Sequence, residues 1–179
     1  MSNVVITGNA SGTGDFTLAA PNSNTDRTLT LPDETGTLDT LQRAGNVLQV
    51  VQGTFATETT STTSTFADTG LTATITPQFT TSKILALVNI SATKGTTDTY
   101  VGLRLVRDAT VISNFNVELG FTNSTALNSV AGGTNYLDSP ATTSATTYKV
   151  QFNSQSNSAS TYICGSGSVA TITLMEIAA

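Results

Sequence analysis

The 179 residues include 38% hydrophobic and only 11% charged side chains, against a usual charged share of about 25%, so the chain has material for one sizeable core and a small appendage. Net charge is −5 with seven Lys and Arg scattered singly, which gives no basic stripe for a phosphate backbone and excludes nucleic acid as an expected partner. There is no His and a single Cys, which removes the commonest general base and the tetrahedral zinc sites, so no catalytic residue, cofactor or metal ligand is predicted.

Thr is by far the commonest residue, and Ser, Asn and Gly are also abundant. A β-branched, polar side chain of this kind suits half-exposed pleated surfaces and weakens helices. No apolar run approaches the roughly 20 residues that cross a bilayer, and Met1 is not followed by a charged-then-apolar leader, so no membrane insertion is expected.

Along the chain, Ser11-Gly12-Thr13-Gly14 lacks the Lys and following helix of a phosphate cradle and reads as a turn. Two similar units follow, Thr17-Leu18-Ala19-Ala20-Pro21 and Thr28-Leu29-Thr30-Leu31-Pro32, in which Leu18 aligns with Leu29 and Pro21 with Pro32. Each is a short strand closed by Pro, which cannot donate to a ladder. Units this thin need neighbours. Wrapping three chains about one axis would bury Leu18, Leu29 and Leu31 against their symmetry mates. Asp33 and Glu34 are the kind of carboxylate pair a glycosidase requires, but in Asp33-Glu34-Thr35-Gly36 they read as a polar turn.

Leu38 to Ala44 has room for one helical turn, and Gly45-Asn46 reads as a hinge, which places a domain boundary between residues 1–45 and 46–179. Beyond it, Leu71, Ala73 and Ile75 alternate with Thr72, Thr74 and Thr76, and Tyr148, Val150 and Phe152 alternate with Thr147, Lys149 and Gln151. Period two means one wet and one dry face. Val47 to Val51, Val101 to Val106 and Thr171 to Ile177 belong to the same class. The stretches Glu58 to Thr65, Asn123 to Gly133 and Ser154 to Ser160 read as polar loops, where recognition on a rigid β scaffold usually resides.

Ile84 to Ile90 differs, because both alternating sets are apolar. A sandwich strand turns one face to the core, so its second apolar face must meet something else. Leu85 and Leu87 are therefore predicted at a subunit interface, with a cap from the chain's own loop as the plainer alternative, and Tyr100 is named as a further interface residue. Cys164 has no partner for an intrachain disulfide and reads as a buried thiol, or else as a cross-link between subunits. Eight to ten short strands without helices predict an all-β sandwich, jelly roll or barrel.

The stretch Gly12 to Leu38, GTGDFTLAAPNSNTDRTLTLPDETGTL, resembles the recurrent N-terminal segment of tail-fibre-like proteins of environmental phages. Val47-Leu48-Gln49-Val50-Val51, Tyr136-Leu137-Asp138-Ser139-Pro140, Tyr148 to Phe152 and Thr173 to Ile177 are similar to the C-terminal domain of the same proteins. That resemblance implies a homotrimeric virion appendage: a short β-rich shaft or attachment segment over 1–45, followed over 46–179 by an antiparallel jelly-roll knob similar to the tumour-necrosis-factor-like fold. It implies other virion proteins, of tail or capsid, as partners of the N-terminal segment, and a host cell-surface glycan or protein as the knob's target. A capsid decoration or head-fibre protein without a receptor is the alternative within the virion, and a saccharide depolymerase using Asp or Glu is the enzymatic one.

Overall fold

The computed structural model describes residues 11–13, 17, 22, 24–26, 43–96, 98–156 and 159–179. The chain divides into two units, Met1–Thr37 and Leu38–Ala179, and every strand described below belongs to the second. The period-eleven units with Leu18, Leu29 and Leu31 lie outside the described residues, as does most of the helical turn expected from Leu38.

Ten strands follow in chain order: β1 Val47–Phe55, β2 Thr59–Ser61, β3 Ala67–Ile75, β4 Lys83–Lys94, β5 Val101–Arg107, β6 Thr110–Leu119, β7 Asn128–Asp138, β8 Thr146–Ser154, β9 Thr161–Ile163 and β10 Ala170–Ile177. β4 is the spine of the larger sheet. One of its edges pairs with β10 over Lys83 to Asn89 and with β9 over Ala92 to Lys94, while β7 runs along the whole of the other. β1 lies outside β10, and β2 outside β9. The smaller sheet has the order β3-β8-β5-β6, and all pairings are antiparallel. The chain crosses between sheets from β2 to β3, β3 to β4, β4 to β5, β6 to β7, β7 to β8 and β8 to β9, which with the orders β1-β10-β4-β7 and β3-β8-β5-β6 is the connectivity of a jelly-roll β-sandwich.

The period-two patterns explain what lies between the sheets. Leu71, Ala73 and Ile75 of β3, Tyr148, Val150 and Phe152 of β8, and Val101, Leu103 and Leu105 of β5 face Ile84, Ala86, Val88 and Ile90 of β4 and Ile172 and Leu174 of β10 in one core. Each large aliphatic side chain buried there contributes about 1.5–3 kcal/mol before the cost of ordering the chain. Two glycines are set by close approach. A Cβ at Gly53 of β1 would lie 2.0 Å from the Thr72 carbonyl oxygen, and Gly70, at φ +99°, lies beneath the Phe55 ring. Gly70 sits where the β3–β8 register shifts between Asp68 and Thr72, and the buried Thr69 hydroxyl bridges that irregularity by donating to the Val150 carbonyl at 2.8 Å.

A polar clasp joins the sheets at one end. Asp138, at the end of β7, is buried and accepts hydrogen bonds from the Tyr148 hydroxyl at 2.6 Å and from Arg107 Nη1 at 2.8 and 2.9 Å. Burial and the bond to Asp138 both push the Tyr148 phenol well above its ordinary value, so it stays a neutral donor. Glu176, inward on β10, is also buried. Burial alone would raise its carboxyl, but donors from the Gln49 side chain and the Gln78 backbone outweigh that and hold it below its ordinary range.

Three local expectations are corrected. Glu58 to Thr65 contains a strand, β2; half of Asn123 to Gly133 belongs to β7; and β6 occupies a stretch with no predicted strand. β7 puts Val130, Gly132, Thr134, Tyr136 and Asp138 on its inner side, a row too mixed to show apolar alternation, so its pairing with β4 defines it as a strand. Gly45-Asn46, read as a hinge, is tied to the last strand's end: the Gly45 N–H donates to the Ala178 carbonyl and the Ala178 N–H to the Asn46 carbonyl.

Candidate functional site

The outer face of the larger sheet combines two kinds of surface, and strand register places both. In an antiparallel sheet, directly paired residues share a face. Val50 pairs with Met175, Met175 with Leu85, and Leu85 with Leu137, so β1, β10, β4 and β7 contribute one apolar residue each to a row running straight across the sheet. The adjoining row is Gln52, Thr173, Leu87 and Asn135. Val50 and Leu137 are each 55% exposed and Leu87 38%, while Met175 and Leu85 are half-buried by their neighbours.

The predicted interface residues therefore separate. Leu85 and Leu87 lie together on this outer face, Leu85 half-buried and Leu87 exposed. Tyr100 lies elsewhere, in the segment before β5, with its ring edge-on to the half-exposed ring of Phe121 at 6.0 Å between centroids. Leu18, Leu29 and Leu31 lie outside the described residues. Cys164 is buried, and its thiol donates to the Phe55 carbonyl at 3.5 Å. Burial pushes that thiol above its ordinary value and leaves it no surface for a cross-link between subunits.

Further along the same face the side chains turn polar. On β4 the outward set runs Leu85, Leu87, Asn89, Ser91, Thr93. Thr93 pairs with Tyr162 of β9 on one side and with Ser129 of β7 on the other, and Tyr162 pairs with Thr60 of β2. The Thr93 and Ser129 hydroxyls are hydrogen-bonded to each other at 2.8 Å. Above this row opens a cavity of about 220 Å³, walled by Glu58, Leu127 and the short 3-10 turn that begins at Gly165. A Cβ at residue 165 would come within 3.2 Å of Glu58 Oε2, so glycine there lets the carboxylate lie against the wall. The turn itself is unusual: Cys164 and Ser166, both at φ 57°, and Gly167, at φ 76°, all have left-handed backbones.

The sequence shows Glu58 and Ser129 only as members of polar loops and gives Tyr162 no signal of its own; the register of β9, β4 and β7 brings Tyr162, Thr93 and Ser129 into one row, and the close approach to Gly165 sets Glu58 beside it. Among the described residues, no group of three or more Cys, Asp or Glu side chains is placed to hold a metal ion.

Compared with known proteins, the chain matches no family model and no curated protein.

Proposed function

We propose that this protein is a bacteriophage virion structural subunit, a homotrimeric tail-fibre or spike component whose jelly-roll knob attaches to the host surface, and that its chemistry is binding alone. The observation that carries this reading is the apolar row Val50, Met175, Leu85, Leu137 on the outer face of the larger sheet. Contiguous apolar surface of this kind usually marks an interaction site, and closed cyclic assemblies are the common way for a chain to cover such a surface with copies of itself. The resemblance of the Gly12 to Leu38 stretch to phage appendage segments supplies the virion context. Three knobs per trimer would multiply weak contacts through effective concentration.

Two measurements test the reading. Light scattering should give a particle three times the 18.4 kDa of the chain, and a map of particles carrying a labelled copy should show density on the tail. Density on capsid symmetry axes would favour a decoration protein instead, and a monomer in solution would count against either assembly.

A further inference from the structure

We infer that the cavity between β9, β4 and β7 is a binding site for a single neutral sugar ring. The inference rests on the reading of the knob as a surface-binding module and names what that module would hold.

Size comes first. Drug-sized ligands occupy pockets of about 300–1,000 Å³, so a cavity of about 220 Å³ holds one small unit and not an oligomer enclosed along its length. It is open to solvent on the outer face of the sheet, which suits a terminal or protruding residue of a larger surface polymer.

Hydrogen-bonding capacity comes next. Glu58 supplies two carboxylate oxygens that only accept. Thr93 Oγ1 and Ser129 Oγ share one hydrogen bond, which leaves one O–H and several lone pairs between them for a ligand. The Tyr162 and Ser166 hydroxyls each add one donor and two acceptor lone pairs, so the lining is richer in acceptors than in donors, and it contains no Lys or Arg. Such a site repels carboxylates and phosphates and calls for a ligand bearing several O–H or N–H donors. On the apolar side stand Tyr162 and Leu127, the latter 62% exposed. A pyranose matches both demands, since its hydroxyl rim donates and its C–H face packs on apolar side chains. An aromatic residue with a polar tip is well suited to such a wet, amphipathic contact.

The construction of the wall also points to a ligand. Gly165 allows the Glu58 carboxylate to approach, and the turn behind it holds two non-glycine residues, Cys164 and Ser166, in the left-handed region. Conformations of this kind persist where surrounding structure imposes them, and they concentrate at ligand clamps.

The test uses the full chain and saturation-transfer NMR with the methyl glycosides of glucose, galactose, mannose and N-acetylglucosamine at about 10 mM, a level matched to millimolar affinity. N-acetylneuraminic acid and tetramethylammonium serve as the anionic and cationic probes. The expected result is transfer to at least one neutral glycoside, with binding about tenfold weaker or worse in Glu58→Ala and in Tyr162→Ala. Glu58 is exposed, so its replacement leaves the fold intact and keeps the test decisive where Tyr162→Ala loosens the sheet. Three results would overturn the inference: no transfer to any neutral glycoside, transfer undiminished in Glu58→Ala, or a response confined to a charged probe. Light scattering on the same samples separates the two readings. A trimer that binds no sugar removes the site and leaves the assembly standing, whereas a monomer that binds removes the assembly and leaves the site.

Discussion

Replacing Leu137 by Lys places a charge at one end of the apolar row without touching the core. Leu137 is 55% exposed in the isolated chain. Full burial of a Leu side chain is worth about 1.5–3 kcal/mol, so covering what remains contributes about 1 kcal/mol per protomer and about 3 kcal/mol per trimer. Losing that term weakens the trimer about a hundredfold, and three ammonium groups left in the contact add a desolvation cost of the same sign. Size-exclusion chromatography with light scattering, run over a dilution series, should show Leu137→Lys dissociating to the 18.4 kDa chain at concentrations where the native protein stays trimeric. Thermal melting of the dissociated variant should stay cooperative, because Leu137 supports no core contact. A native chain that is monomeric throughout, or a Leu137→Lys trimer as persistent as the native one, would refute the assignment of this face to self-association.

Tyr148→Phe removes one of the donors to buried Asp138 and should cost about 1–2 kcal/mol in urea unfolding; unchanged stability would show that the clasp adds nothing. The Glu176 carboxyl lies below its ordinary value of 4.5 in the folded chain, so its charge stabilises the fold fully above that pH. The contribution fades as pH falls through the lower folded value. Glu176→Gln should therefore flatten the acid limb of stability against pH, and an identical limb in both proteins would contradict the argument. Gly53→Ala drives a methyl to 2.0 Å from the Thr72 carbonyl oxygen and should lose about 3 kcal/mol or more, or fail to yield folded protein. By contrast, Asp68→Ala breaks an exposed pair with Lys149 and an exposed hydrogen bond from Gln151 Nε2 and should change stability by no more than about 1 kcal/mol.

Several of these features are legible in the amino-acid sequence. Alternation alone identified β3 and β8 and their dry faces, because a half-buried strand writes its burial directly into period two. The doubly apolar run at Ile84 to Ile90 marked the central strand of the larger sheet for the same reason. β7 and β6 left no such mark. Edge strands bury fewer large side chains, and β7 fills its inner row with Gly132, Thr134 and Asp138 as well as aliphatic groups.

What the amino-acid order determined by itself is the all-β character, the dry face of each alternating strand, and the surplus of apolar side chains on β4. Which of the two β4 sets enters the core, and which companions meet the other, was decided by pairing between strands distant in the chain. Leu85 is joined to Met175, Val50 and Leu137 only because β10, β1 and β7 take one particular register against β4 and its neighbours. The cavity at Glu58, Thr93, Ser129 and Tyr162 arises the same way. Its chemistry belongs to no local segment, since four separate stretches each supply one ordinary polar residue and long-range hydrogen bonding alone sets them side by side.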